Sequence, residues 1–371
     1  KTAYEIKECD WSSDVCSSDL GARASGRCCC LPSPSIVKWN SCNSSPMNSK
    51  RAGDGPMTWE PQIFKTLHQI PREEHVFPGT PLCAGCGGLE SLRLAAKVLG
   101  SRVVYVDAAG CMTNLAAFPF TPLDASWLYT TMGSAPAGAQ GVRDALDVLI
   151  AKGRVPKEED VQVVVLGGDG STYDMALSST SGAITRQLDF YYFCYDNEAY
   201  GNTGVQLSPA TPYGARTTTS PCAVQHPAGT TQEKKDIFEI WRAHRPPYMA
   251  TVSPRFPLDL EEKFARAAAY KGPKLFLAFA ACPTGWLFDP AQTPDVARLA
   301  VECGLWPLKE AVNGVVVHTY RPKLTPVEEY LKLQGRFRHL FEPVVQTEAI
   351  AHIQERVNGY WARVKREEGN S

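Results

Sequence analysis

The side chains best placed to do chemistry lie at the ends of two apolar segments. One segment runs into Gly-Gly-Asp-Gly and delivers Asp169, and a later one delivers Asn197. If the segments are parallel strands, both side chains reach the edge of the sheet where open α/β proteins bind ligands. Gly168 and Gly170 let the backbone approach a bulky anionic group. Carboxylate, amide and backbone carbonyl oxygens suit Mg²⁺, which keeps other positions for phosphate and water, so the pattern predicts a cation-bridged phosphate site.

Four cysteines form the second set of candidate ligands. Cys83 and Cys86 make a CxxC pair, 24 residues separate Cys86 from Cys111, and a further 170 separate Cys111 from Cys282. Cys111 and Cys282 follow apolar segments, so they would reach the same sheet edge as the oxygen ligands. Four thiolates can hold a [4Fe–4S] cluster or a tetrahedral zinc ion. The spacing alone favours neither, and unliganded thiols are a third possibility.

The elements that must position these residues alternate between strand and helix, which predicts an α/β fold with a doubly wound, mostly parallel sheet. Between them, residues 205–235 are polar and predict a long loop, a feature that is usually functional in compact domains. Cys194 lies inside a strand and is expected in the core. The predicted strands are 102–108, 161–167, 189–196, 249–253 and 274–280. The predicted helices are 88–99, 135–151, about 172–187, 238–242 and 258–270.

The two ends of the chain differ from this central region. Residues 1–56 lack apolar periodicity and include WSSDVCSSDL, which matches a translated sequencing adapter; we expect a translation artefact, with Met57 as the start, or else a disordered Cys-rich tail or transit peptide. Residues 57–305 are expected to form the main domain. Residues 306–371 are expected to form a C-terminal extension with a hairpin at VNGVVVHTY, a helix at LTPVEEYLKLQGRFRHLF and a last amphipathic helix.

Composition excludes several classes of partner. The chain has 38 Lys and Arg against 39 Asp and Glu, so no nucleic-acid or anionic-membrane partner is indicated. No apolar run approaches the roughly 18 residues that a membrane helix needs. We therefore expect a cytoplasmic protein, where cysteines bind metals more often than they form disulfides.

Several segments together carry a family resemblance. The GDG motif followed by Asn after about 25 residues resembles the diphosphate-binding motif of thiamine-diphosphate enzymes. Together with CAGCG, DNEAYGNTG, TTTSP, ACPTGW and the block TPVEEYLKLQGRFRHL, it resembles the thiamine-diphosphate-binding β subunits of the 2-oxoacid:ferredoxin oxidoreductases. The similarity extends from about His75 to about Leu340 without a large gap.

The resemblance implies a set of cofactors and partners. Cys83, Cys86, Cys111 and Cys282 would hold a [4Fe–4S] cluster. Pyruvate or a similar 2-oxoacid would be oxidatively decarboxylated to acyl-coenzyme A, with electrons passed to ferredoxin. The partners would be the α subunit, with γ and δ subunits, of the same complex. The resemblance also implies that the glutamate which activates the thiamine ring comes from the α subunit, and this chain offers no convincing candidate.

The resemblance also assigns the oxygen site. Mg²⁺ would be held by Asp169, Asn197 and the backbone carbonyl of Ala199, beside a diphosphate cradled by Gly168 and Gly170. Asn202 and Thr203 would lie beside the diphosphate and the reacting carbon.

Other readings stay open at this point. His75 would orient cofactor or substrate, or be a surface histidine, and Arg336 and Arg338 would meet an anionic partner or, more simply, lie on a solvated helix face. A non-redox thiamine decarboxylase or synthase would leave the cysteines unused, and a zinc-stabilised scaffold would bind no thiamine. The segment after Cys111 departs from the pyruvate-type pattern, so 2-oxoisovalerate, another branched or aromatic 2-oxoacid, or oxalate are alternative substrates.

Overall fold

The computed structural model describes residues 66–116, 121–223 and 226–369. The proposed artefact at 1–56 and the start at Met57 lie outside these residues. The strands are β1 Val103–Ala108, β2 Ser126–Thr130, β3 Gln162–Gly168, β4 Phe190–Asp196, β5 Tyr248–Val252, β6 Pro273–Phe279, β7 Lys309–Val312 and β8 Val315–His318. The α-helices are α1 Gly87–Leu99, α2 Ala135–Ala151, α3 Leu177–Thr185, α4 Ile237–Arg242, α5 Pro257–Ala267, α6 Pro283–Trp286, α7 Thr293–Glu302, α8 Val327–Lys332 and α9 Thr347–Gly369.

The strands form one sheet in the order β2-β1-β3-β4-β6-β5-β7-β8. The first six in this order pair in parallel, and β7 and β8 are added antiparallel. The predicted α/β fold with a mostly parallel sheet is therefore confirmed. Because the strands share one direction, β1, β3, β4 and β6 all present their carboxyl ends at the same edge.

Helices cover both faces of this sheet. Along β4, Tyr191, Phe193 and Tyr195 pack into a core with α1 and α5, whereas Tyr192 and Cys194 point into the opposite core, which α2, α3, α4, α7, α8 and α9 cover. Burial on both faces explains why the central strands are continuously apolar. Cys194 lies in the core, as expected.

The hairpin prediction is confirmed: β7 and β8 are joined by Asn313 and Gly314, both with positive φ, the combination that a tight two-residue hairpin turn requires. The prediction of a single helix at LTPVEEYLKLQGRFRHLF is wrong. Helix α8 ends at Lys332, and a separate 3₁₀ turn spans Gly335–Leu340. At the break the Gly335 amide donates to the Leu287 carbonyl at 3.1 Å, an approach that a side chain at 335 would block.

Sequence reasoning also missed strand β2 and helices α6 and α7. Strand β2 lies at the sheet edge with mostly exposed side chains, so it lacks the apolar run that marks the central strands. Helix α7 lies between β6 and β7 in the chain and packs into the core on one face of the sheet. No helix in the described part of the chain has both the length and the apolar character that crossing a membrane requires.

Candidate thiamine-diphosphate site

The residues that end β3 and β4 come together as the sequence predicts. One terminal atom of the Asn197 amide lies 2.8 Å from both Asp169 Oδ1 and the Ala199 carbonyl oxygen. If that atom is nitrogen, it donates to both oxygens; if it is oxygen, three oxygens face one another and need a cation between them. Adjacent ligands of an octahedral Mg²⁺ with bonds of about 2.1 Å lie about 3 Å apart. The spacing of these three groups therefore fits a Mg²⁺ ligand set.

The charge around Asp169 also fits a cation. Asp169 is fully buried, and its Oδ2 accepts a hydrogen bond from Ser208 Oγ at 2.5 Å. Burial, and then the nearby Asp196 carboxylate, raise the pKa of Asp169 well above its usual value. With Glu198, three buried carboxylates face two cations, Lys234 and Arg336. Burial and neighbouring carboxylates thus disfavour the charged form of Asp169, and a cation bound beside it would stabilise that form.

The segment from Asp196 to Ala199 is clamped from several sides. Glu198 has φ 61°, an unfavourable conformation for a side chain of this kind, and its carboxylate accepts from Lys234 Nζ at 2.9 Å and Arg336 at 2.7 Å. Thr211 Oγ1 donates to the Glu198 carbonyl at 2.7 Å, and Trp286 Nε1 donates to the Asn197 carbonyl at 2.9 Å. These contacts fix the backbone that presents Asn197 and Ala199.

Lys234, Glu198 and Arg336 form a group of ion pairs that we call the clamp, with Lys234 bound to two carboxylates. Its ammonium is 2.8 Å from Asp196 Oδ2 and 2.9 Å from Glu198 Oε1. Burial lowers the pKa of Lys234, but these two carboxylates more than reverse the effect and the pKa is raised. Burial likewise raises the pKa of Glu198, whereas Lys234 and Arg336 bring it below its usual value. We expect both partners to be charged at neutral pH.

Glycines on the loops allow close packing at the site. A Cβ on Gly170 would lie 2.3 Å from the Tyr200 ring, and one on Gly201 would lie 2.8 Å from the Asn197 amide. Tyr200 in turn donates to Asp174 Oδ2 at 2.7 Å. Asp174 thus ties the Tyr200 ring to the turn that precedes α3.

Asn202 and Thr203 lie on the open side of this loop. Both are exposed; Asn202 Oδ1 accepts from Asn114 Nδ2 at 3.3 Å, and Thr203 Oγ1 donates to Gln206 Oε1 at 2.5 Å. Their predicted place beside the reacting carbon stays a prediction.

The four predicted cluster cysteines occupy loops at this same edge. Cys86 precedes α1, whose Gly87 amide donates to the Ala281 carbonyl at 3.0 Å, next to Cys282. The Cys111 sulfur lies 3.7 Å from Asn197 Nδ2. Burial raises the pKa of Cys86 to about 11 and of Cys111 to about 12, and the other thiols of the set add to the rise.

None of these four cysteines forms a disulfide bond. Among the described residues, no group of three or more His, Cys, Asp or Glu side chains is arranged to hold a metal ion. The cluster therefore stays a prediction, supported by the shared edge and by the mutual electrostatic effect of the thiols.

Sequence reasoning missed the two cations of the clamp. The preferred reading of Arg336 as part of a solvated helix face is wrong: it is 3% exposed, bound to Glu198 and stacked 3.7 Å over the Trp286 ring. Arg338 is exposed. The surface alternative for His75 is also wrong, since His75 is buried with Nδ1 3.6 Å from Asp124. Glu198 is engaged in ion pairs, so it is unsuited to activate a thiamine ring.

Comparisons with known proteins identify the family of the chain. The family model for the C-terminal thiamine pyrophosphate-binding domain of thiamine pyrophosphate enzymes matches residues 108–277. Pyruvate synthase subunit PorB of Methanothermobacter thermautotrophicus is 46% identical over 292 residues, 78% of this chain and 97% of that protein. Ketoisovalerate oxidoreductase subunit VorB of Pyrococcus furiosus is 38% identical over 310 residues, 82% of this chain and 97% of that protein.

A solved 2-oxoglutarate:ferredoxin oxidoreductase from Magnetococcus marinus, with 2-oxoglutarate, coenzyme A and succinyl-coenzyme A bound, aligns with a TM-score of 0.46 and 20% identity, over 64% of this chain and 82% of that one. The alignments with the PorB and VorB subunits each span 97% of the relative's length. The chain therefore belongs to the thiamine-diphosphate-dependent 2-oxoacid:ferredoxin oxidoreductase family, as a subunit of the PorB and VorB type.

Proposed function

We propose that this chain binds the diphosphate of thiamine diphosphate through Mg²⁺, within a complex that oxidatively decarboxylates pyruvate or a similar 2-oxoacid. The observation that carries the proposal is the approach of Asp169 Oδ1 and the Ala199 carbonyl oxygen to within 2.8 Å of one terminal atom of the Asn197 amide, beside a buried group of three carboxylates and two cations. Carboxylate, amide and carbonyl oxygens are the hard ligands that Mg²⁺ prefers.

When bound, thiamine diphosphate supplies the carbon nucleophile and the electron sink for decarboxylation. The protein's own residues bind and orient. Asp169 and Asn197 would hold the cation, Ser208 keeps the Asp169 carboxylate in place, and the Lys234–Glu198–Arg336 clamp keeps the Ala199 carbonyl directed at the site. Gly170 leaves room for the Tyr200 ring beside the loop.

We further propose that Cys83, Cys86, Cys111 and Cys282 hold a [4Fe–4S] cluster, which when bound supplies one-electron transfer toward ferredoxin. Two observations support this: the thiols share the sheet edge with Asp169, and the Cys111 sulfur neighbours Asn197. Anaerobically prepared chain should contain iron and sulfide and absorb near 400 nm. Cys282→Ala should lose most of this iron, whereas Cys222→Ala on the half-buried loop should keep it. Retention of a full cluster by Cys282→Ala would refute the ligand set.

The partners are proposed on the same basis. Glu198 is held in ion pairs with Lys234 and Arg336, so we infer that an α subunit supplies the carboxylate that activates the thiamine ring, with γ and δ subunits, coenzyme A and ferredoxin completing the reaction. The assembled complex should therefore turn over a 2-oxoacid with coenzyme A and ferredoxin, and this chain alone should not. Pyruvate, 2-oxoisovalerate, phenylpyruvate and oxalate should be assayed side by side. Carbon dioxide release without reduction of ferredoxin would favour the non-redox thiamine decarboxylase instead.

A further inference from the structure

A cavity lies beside the clamp, on the side of Glu198 and Lys234, and none of the proposed metal ligands lines it. Its volume is about 300 Å³, at the lower end of the range for small-molecule sites. The sheet and the segment before β7 supply Phe279 and Trp306, and α9 supplies Ile353, Val357 and Tyr360. The walls are therefore mainly aromatic and aliphatic.

One buried cation lines this cavity without an ionic partner. Lys309, on β7, is 6% exposed. Its ammonium lies 4.0 Å from the centre of the Phe238 ring and 5.4 Å from that of Tyr360, and within the described residues it has no hydrogen bond or ion pair. Burial lowers the pKa of Lys309, while the nearby Asp236 and Glu239 carboxylates partly oppose this effect. Cation–π contacts offset only part of the cost of burying an ammonium, and its three donors remain to be satisfied.

Each of the other charged side chains that line the cavity already has an ion-pair or hydrogen-bond partner. Lys234 binds Asp196 and Glu198, and the Lys235 ammonium donates to the Tyr173 carbonyl at 2.6 Å. Arg356 pairs with Glu233 at 3.0 Å, and Asp236 caps α4 by accepting from the Glu239 amide. The charged lining comprises four cations and three carboxylates, namely Lys234, Lys235, Lys309 and Arg356 against Glu198, Glu233 and Asp236. Among the described charged groups of the lining, Lys309 is therefore the one whose side chain has neither an ion pair nor a hydrogen bond, and it is the available donor.

We propose that this cavity binds a small organic acid with one carboxylate, which pairs with Lys309, and with an apolar or aromatic body packed against α9. The single unpaired ammonium of Lys309 matches a monocarboxylate, whereas a phosphate dianion would need further donors. The aromatic and aliphatic walls match a branched or aryl body and would give a free inorganic anion no favourable contact.

The site is separate from the one proposed for thiamine diphosphate and does not depend on it. Glu198 and Lys234 nevertheless form part of the cavity wall, and the same ion pair holds the backbone of Asn197 and Ala199. A bound acid would therefore contact the clamp from behind, which gives the site a route to influence the cofactor loop.

Isothermal titration of the full chain tests the proposal, with 3-methylbutanoate and phenylacetate as probes and their neutral amides as matched controls. A charge-assisted hydrogen bond to a buried ammonium is strong enough that we expect the amides to bind at least about tenfold more weakly than the acids. Lys309→Met keeps most of the side-chain volume and should weaken binding of the two acids by about the same factor. Lys365→Met, on the exposed side of α9, should change nothing.

A second variant keeps the test independent of the charge change. Val357→Phe should fill the cavity and abolish binding of both acids, with circular dichroism to confirm the fold. Asp169→Asn should leave acid binding intact, so failure of the thiamine proposal would be distinguishable from failure of this one. Equal binding of acids and amides, unchanged binding by Lys309→Met, or displacement of the acids by inorganic phosphate would each overturn the proposal, as would no binding of either acid.

Discussion

Removing Arg336 tests the role of the clamp most sharply. Arg336 and Glu198 have side chains 3% and 8% exposed and are joined at 2.7 Å, and the guanidinium also stacks 3.7 Å over Trp286. Arg336→Met keeps an unbranched chain of similar length but leaves one carboxylate oxygen of Glu198 without its partner. We therefore expect loss of stability and loosening of the loop that carries Asn197.

The magnitude follows from the burial of the pair. Removing one partner of a buried ion pair typically costs about 3–5 kcal/mol, because a charge is left uncompensated. Lys234 still contacts Glu198 at 2.9 Å, which favours the lower end. Loss of the contact with Trp286 adds about 1 kcal/mol, and the methionine recovers some packing. The expected fall in the free energy of unfolding is about 3 kcal/mol.

Urea denaturation of the full chain, followed by tryptophan fluorescence, measures this fall. Arg338→Met is the matched control, since Arg338 is exposed and should change the free energy by no more than about 0.5 kcal/mol. A double-mutant cycle with Glu198→Gln should give a coupling of about 2 kcal/mol. A fall below about 1 kcal/mol for Arg336→Met, or no coupling, would refute the reasoning.

Two further predictions concern packing and pH. Gly170→Ala should destabilise the chain by about 1–3 kcal/mol and weaken thiamine diphosphate binding, because the added methyl would meet the Tyr200 ring at 2.3 Å. Gly141→Ala, in α2 with open space around it, should instead be neutral or stabilising by up to about 1 kcal/mol. Equal effects of the two substitutions in urea denaturation would contradict the steric account. Burial, and then nearby cations, lower the pKa of His318 from 6.5 to about 4, so the unfolded chain takes up the proton first. The contribution of His318 to the free energy of unfolding should therefore be fully present above pH 6.5 and should fall by at most about 1.4 kcal/mol per pH unit toward pH 4. His318→Phe should flatten this part of the stability profile. An unchanged slope would rule out His318 as its source.

Much of the site was predictable because its ligands end recognisable strands. The apolar runs before Asp169 and Asn197 marked β3 and β4, and parallel pairing brings their ends to one edge. Cys111 and Cys282 were placed at that edge by the same reasoning.

The clamp was not predictable by this route. Lys234 and Arg336 are 36 and 138 residues from Glu198, on a long loop and in a 3₁₀ turn with no strand or helix period to orient them. Only the tertiary fold buries Arg336 against Trp286. The break between α8 and that turn likewise depends on a close approach to Leu287 that local sequence does not encode.

The central claim is that this chain holds thiamine diphosphate through a cation bound by Asp169, Asn197 and Ala199. Its most direct test is the affinity of the assembled complex for thiamine diphosphate, measured with and without Mg²⁺ for the unaltered chain and for Asp169→Asn. Asp147→Asn, at an exposed position of α2, is the control. We predict that affinity depends on Mg²⁺ in the unaltered chain and in the control, and that Asp169→Asn lowers it by about 100-fold and removes that dependence, since an amide is a weaker cation ligand than a carboxylate. Unchanged, Mg²⁺-dependent binding by Asp169→Asn would contradict the claim.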